Sequence, residues 1–333
     1  MKKAFFVACL IGAATSTANA QSQIATLSHE GEIKTFYGGN ALIDAHESAV
    51  SGDVITLSAG SFNAVDFTKP ITVRGAGMGI KVSENDSNYT APTIILGDFN
   101  IDANADSASY FVLEGVINEN EVTLSGVNNA QLIRCNLHDV FYSGGKRVFA
   151  NTTLFNCYIN GSLGTNGNTN TTLSATASYI RDFYGDYSKT NAFQFTNSII
   201  DSNNMYNAYH SSFFNCILIQ REASKTSLPP NSIAFNSLWV GGHKANPFNI
   251  SSATAHSNYI SPNDSVFVPG TFYQLTDEAK KYLGADGTEV GIYGGNVPFN
   301  PTPTIPQITK FNVASKTSAD GKLSVDITVA QPE

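Results

Sequence analysis

The six residues Leu132-Ile133-Arg134-Cys135-Asn136-Leu137 decide the fold, because their pattern returns along the chain. With Cys135 as the alignment mark, the pattern meets 154–159 with Cys157 at the mark, 175–180 with Ser178, 195–200 with Ser198, 213–218 with Cys216, 234–239 with Ser237 and 255–260 with Asn258. Upstream, 112–117 puts Gly115 there, and the successive gaps are 20, 22, 21, 20, 18, 21 and 21 residues. A steady period of this length marks a solenoid, in which each unit buries its apolar face only against its neighbours.

The columns say which solenoid. Three residues before the mark stand Val112, Leu132, Leu154, Ala175, Phe195, Phe213, Ala234 and Ala255, and two after it Ile117, Leu137, Ile159, Ile180, Ile200, Leu218, Trp239 and Ile260. Both columns are apolar, while the mark holds only Gly, Cys, Ser or Asn, residues small enough for a tight inward bend. Helical repeats need 33 residues or more, and no segment sustains a 3.6-residue apolar period. A leucine-rich repeat would want Leu at the mark. The fold class expected is all-β, a right-handed single-stranded parallel β-helix with strands stacked about 4.8 Å apart.

Composition narrows the function. The 333 residues carry 19 Lys+Arg against 27 Asp+Glu, a formal charge of −8 that becomes −10 if Lys2 and Lys3 leave with a leader. Such a balance disfavours nucleic acid and anionic membrane as partners. Residues 1–20 read as a cleavable signal peptide: Lys2-Lys3, an apolar run at 4–14, then Ser16-Thr17-Ala18-Asn19-Ala20. The apolar run is shorter than the roughly 20 residues a membrane span needs, so no membrane span is expected. The remaining cysteines, Cys135, Cys157 and Cys216, are odd in number and too far apart for a zinc motif. Stacked thiols are expected, not a bridge.

Other stretches complete the domain plan. A helix at 41–50, with Leu42, Ala45 and Ala49 on one side, would plug the lower end of the solenoid. The β-helix with its cap is assigned to 21–297, a Pro-rich linker to 298–307 and a C-terminal β-hairpin to 308–333, its strands at 308–314 and 323–329 around Ala319-Asp320-Gly321.

On these residues the chain resembles the pectate-lyase-like parallel β-helix family, whose coils read apolar-x-apolar-x-x-Asn-x-Ile, over about residues 40–295. The opening Asn40-Ala41-Leu42-Ile43-Asp44-Ala45-His46 and the closing Asp286-Gly287-Thr288-Glu289-Val290-Gly291-Ile292-Tyr293-Gly294-Gly295 are similar to those of exported proteins of Bacteroidetes type. The resemblance implies an exported protein of a Gram-negative bacterium, in the periplasm, at the cell surface or outside the cell, that interacts with carbohydrate. The chain departs from the family where Cys or Ser takes the place of the ladder Asn.

Stacking turns columns into walls. One residue past the mark, Tyr158 and Tyr179 point outward; three past it stand His138, Asn160, Arg181 and Asp201. These six residues form the candidate ligand-binding wall, with aromatic faces beside acid, base and amide groups suited to a sugar chain. A plainer reading makes Arg181 and Asp201 a surface ion pair. Ile199, Ile217 and Leu238 form an outward apolar strip, expected to be covered by a loop or by the hairpin rather than by another subunit.

No catalytic residue is assigned. The paired-Asp and Gly-His-Gly motifs of pectin hydrolases are missing, and the basic spots at Arg181, Lys146-Arg147 and His243-Lys244 do not make a lyase signature. No metal or other cofactor is expected; Ca²⁺ has no supporting motif. The sequence leaves the oligomeric state open. Two functions follow: an exported protein that binds, and in one version cleaves, a polysaccharide on its outer wall; or a non-catalytic structural or adhesion module contacting another protein.

Overall fold

A computed structural model describes residues 23–82, 91–103, 110–143, 148–165, 170–185, 192–222, 227–229, 231–241, 247–248, 255–262, 265–304, 307–313, 316, 320–322 and 324–330. The leader expected at 1–20, and the basic spots at Lys146-Arg147 and His243-Lys244, lie outside the described residues.

The chain winds into a right-handed parallel β-solenoid. Each coil gives one strand to a first sheet, turns a tight corner and gives the next strand to a second sheet. The first sheet runs through nine parallel strands from Val54–Leu57 to Ile233–Phe235, and the antiparallel hairpin Ile24–His29 and Glu32–Tyr37 closes its lower edge. The second runs from Gly60–Asn63 to Tyr259–Ile260, with the short strands Phe99–Ile101, Leu163–Thr165 and Phe183–Tyr184 branching from it.

Register places the repeat columns in files. Leu137 pairs with Ile159, then Ile180, Ile200, Leu218, Trp239 and Ile260 follow in succession. In the first sheet Leu132, Leu154, Ala175, Phe195, Phe213 and Ala234 do the same. All of these but Ile260 belong to one buried core, and Ile260 packs against it partly buried. Each large apolar side chain in that core contributes roughly 1.5–3 kcal/mol.

The corner between the sheets explains the small mark. The residue before it takes the left-handed conformation in every coil from Gly115 to Asn236: Gly115, Arg134, Asn156, Ala177, Asn197, Asn215 and Asn236, with φ from 47° to 68°. Asn tolerates this region better than most residues. The mark then points inward and ties coil to coil. Cys157 N donates to Ser178 Oγ (3.0 Å), Ser178 N to Ser198 Oγ (3.2 Å), Cys216 N to Ser237 Oγ (3.0 Å) and Ser237 N to Asn258 Oδ1 (3.0 Å). The hydroxyls donate in turn to the carbonyl two residues back, as Ser198 Oγ does to Thr196 O (2.8 Å). A buried N–H without such an acceptor would cost about 1–3 kcal/mol. Cys135, Cys157 and Cys216 are free and buried in this file.

One coil departs from the expected register. Leu132 pairs with Leu113, not Val112, so Val116 holds the mark and Gly115 is the left-handed corner residue. Asn118, not Ile117, then faces inward, and its Nδ2 donates to Ile95 O (2.9 Å) and Gly97 O (2.8 Å).

The helix forms at Ala41–Ser48 and buries Ala41, Leu42 and Ala45 on the first coil. Lys69 Nζ satisfies its C-terminal carbonyls, donating to His46 O (2.7 Å), Glu47 O (3.0 Å) and Ala49 O (2.8 Å). No helix among the described residues is long and apolar enough to cross a membrane. Near the end of the chain Gln307–Val313 and Val325–Ala330 pair antiparallel.

Candidate functional site

The outward face of the second sheet is covered. From about residue 266 the chain turns back as a strap along this wall, and Val266, Leu275, Ala279, Val290, Ile292 and Phe299 share a buried cluster with Ile199, Ile217 and Leu238. The cover is therefore this segment. Gly291 permits the closest approach: a Cβ there would meet Ile217 Cδ1 at 2.6 Å, and its φ of +88° suits glycine.

The corner residues double as the strap's track. Asn215 Oδ1 accepts from Ala285 N (2.9 Å) and Asn215 O from Gly291 N (2.8 Å). Farther down, Asn156 Oδ1 accepts from Asn300 N (2.9 Å) and Arg134 Nε donates to Asn300 O (3.0 Å). At the end buried Glu114 takes Thr304 N (3.1 Å) and the Thr304 hydroxyl, beside Arg74 (3.4 Å) and Arg134 (3.8 Å). Burial lowers the Arg134 pKa, and the Glu114 charge opposes that shift. The stretch from 298 expected as a linker is thus docked as far as Thr304, with Phe299, Pro301 and Pro303 buried.

Strap and corner together redistribute the six candidate wall residues. Tyr179 is 3% exposed, stacked on Tyr273 of the strap at 4.5 Å, and its phenol donates to Asp201 Oδ2 (2.7 Å). Tyr158 lies half-buried between Tyr179 (5.0 Å) and Phe272 (5.3 Å). The two tyrosines therefore pack a cover instead of presenting an open face. Asn160 Nδ2 donates to Asn136 Oδ1 (3.1 Å), and exposed His138 keeps Nδ1 2.9 Å from Asp139 Oδ2. Arg181 and Asp201 are neighbours in register, yet Asp201 is bound by Arg221 Nε (2.6 Å), which also holds Asp182 (3.3 Å). Half-exposed Arg181 reaches Asp182 only at 4.0 Å.

Chemically this corner is a clamp. Burial, and then the Asp201 charge, hold the Tyr179 phenol protonated well above its ordinary range; burial pushes Tyr273 up to about 12. Both phenols are donors at neutral pH, and Arg221 is committed to two carboxylates. Arg221 stands five residues past Cys216, two residues beyond the column from which the candidates were drawn. Among the described residues no three His, Cys, Asp or Glu side chains group to hold a metal.

The open wall belongs to the first sheet. Its strands alternate, so Thr153, Ser174, Gln194 and Ser212 stack outward in one column, and Phe155, Thr176, Thr196, Phe214 and Phe235 in the next. The first column floors a groove of about 540 Å³, flanked by Thr172, His210 and Asn231. The Asn231 amide and His210 Nε2 are 3.1 Å apart. Along the second column Phe214 and Phe235 stack at 5.1 Å and 2°, with the His256 ring 4.4 Å beyond. The signal for this wall lay in the residues before the mark, where polar and apolar positions alternate.

None of three comparisons, with family models, with curated proteins and with solved structures, returns a match for this chain.

Proposed function

We propose that the protein is an exported carbohydrate-binding β-helix, akin to the pectate-lyase-like family, and that it holds a glycan in the groove of the first sheet's outer wall. The observation that carries this reading is the groove itself. It is a polar concavity floored by a ladder of hydroxyl and amide groups, with the stacked Phe214 and Phe235 rings in the neighbouring column. Glycans offer alternating hydroxyl donors and acceptors with apolar ring faces, and sites that take such ligands combine a few placed polar groups with aromatic surface. On the covered wall the aromatic residues Tyr158, Tyr179, Phe272 and Tyr273 are spent on packing the strap.

A glycan array probed with wild type and a Gln194→Ala variant tests the reading. Signal in the wild type that falls in the variant supports it. A silent array, with the fold intact by circular dichroism, overturns it in favour of a structural or adhesion module.

A further inference from the structure

We infer that the groove takes an uncharged glycan chain laid along the solenoid axis, about four sugar residues long; this rests on the glycan reading above and names its ligand class. Three features of the wall carry it.

The first is charge. No Asp, Glu, Lys or Arg is among the described residues lining the groove. A polyuronate brings one carboxylate per residue, and desolvating it against hydroxyls and amides, with no cation among the described lining residues, is unfavourable. Among the described residues, the guanidinium groups stand elsewhere, with Arg181 beside Asp182 on the second sheet. Arg221 is held by Asp182 and Asp201, and Arg134 and Arg74 stand at Glu114. A neutral chain meets donors and acceptors in the form it needs: Thr153, Ser174 and Ser212 hydroxyls can each do both, and Gln194 and Asn231 amides have one end of each kind.

The second is direction and length. The lining residues come from five successive coils, from 151–153 to Asn231. Four steps of about 4.8 Å give a groove of roughly 19 Å running along the axis. A pyranose unit advances a chain by about one coil rise, so the four floor rungs Thr153, Ser174, Gln194 and Ser212 each face one sugar and about four sugars fill the groove.

The third excludes an extended peptide. Peptides commonly bind sheets by adding a strand to an open edge. The strands Val148–Phe155, Asn170–Thr176, Ala192–Thr196 and Ser211–Phe214 are each paired on both sides, so they present side chains and no free backbone ladder.

The test is calorimetric titration with uncharged oligosaccharides of the gluco, manno and xylo series, from monosaccharide upward, and in parallel with oligogalacturonate and oligoalginate. Affinity for one neutral series should rise with length, level off at about four residues and stay flat with added salt. Gln194→Ala should weaken it about tenfold with unchanged stability. Preference for the acidic chains, falling with salt, would sink the uncharged class and leave the glycan reading standing. A monosaccharide binding as tightly as the longer chains would sink the axial arrangement. No binding by either class would sink the glycan reading itself.

Discussion

The two long sheets share one interior and differ in what they show to solvent. Both send apolar files inward, and a single ladder of small residues ties their common corner. Outside, the second sheet carries Tyr158, Tyr179, Ile199, Ile217 and Leu238 beneath the strap, whereas the first carries Thr153, Ser174, Gln194 and Ser212 in the open. Inward residues are dictated by burial and say nothing of function. Outward columns carry the information, and an aromatic column can mean a cover as readily as a ligand.

The sharpest way to break this contrast is to unseat the strap. Gly291→Val asks a β-branched residue to hold φ of +88° and to push its Cβ into Ile217. Backbone strain and overpacking each cost about 1–3 kcal/mol, so a loss of about 3 kcal/mol or more is expected in urea denaturation. A near-neutral result would mean that the strap is not docked in solution.

A pair of truncations sharpens it further. Ile200 faces the interior and Ile199 the strap, and both are fully buried. Ile200→Ala and Ile199→Ala should therefore destabilise alike, each by about 2–4 kcal/mol. On a bare wall Ile199→Ala would cost almost nothing, so the difference between the two midpoints measures the cover directly.

How far the sequence reveals all this follows the same division. The 20-residue period exposes the coil, the inward files and the small-residue ladder, because burial leaves few alternatives at those positions. The slip at Gly115 arose because Val112 and Ile117 satisfy both apolar columns, whereas the observed register puts Leu113 in the first and polar Asn118 in the second; the left-handed corner, where glycine stands in for the Asn of later coils, separates the registers. The covered state of Tyr158 and Tyr179 is invisible in the repeat, since the strap comes from 266–304 and meets them across more than 90 positions of chain. Likewise the partner of Asp201 is Arg221 and not the in-register Arg181, a choice made by side-chain reach. The groove was missed: the alternation before the mark shows an outward polar column but not its concavity.

A smaller effect is expected where strap and corner meet. Asn215→Ala removes the acceptor for Ala285 N and puts Ala at φ of 55°. The lost bond and the left-handed penalty together predict about 1–2 kcal/mol, read from the same denaturation curves. Alkaline titration reports on the cover from another side. Tyr179 and Tyr273 are raised above the ordinary 10.0 by burial, so the folded state keeps protons that the unfolded state releases. Their contribution is complete below pH 10 and is lost as pH rises toward and beyond about 12. Phenolate absorbance should show these two tyrosines ionising late and together with unfolding. Early, reversible ionisation would place them in solvent.

The smallest effect is the most telling about the open wall. Ser174 projects outward, exposed, between Thr153 and Gln194, and its neighbours in register are already paired through their backbones. Ser174→Ala removes only a hydroxyl that faces solvent, so stability should move by no more than about 0.5 kcal/mol. Ser178, four residues along the same coil, has an equally small side chain, but its hydroxyl accepts from Cys157 N and donates to Thr176 O (2.9 Å) inside the core. Ser178→Ala strands a buried N–H and should cost about 1–3 kcal/mol. If the two serines proved equivalent in denaturation, the distinction between an inward ladder that builds the fold and an outward ladder free to meet a ligand would fail. If they differ as stated, any loss of glycan affinity in Ser174→Ala is an effect on the groove alone, because the scaffold beneath it has not changed.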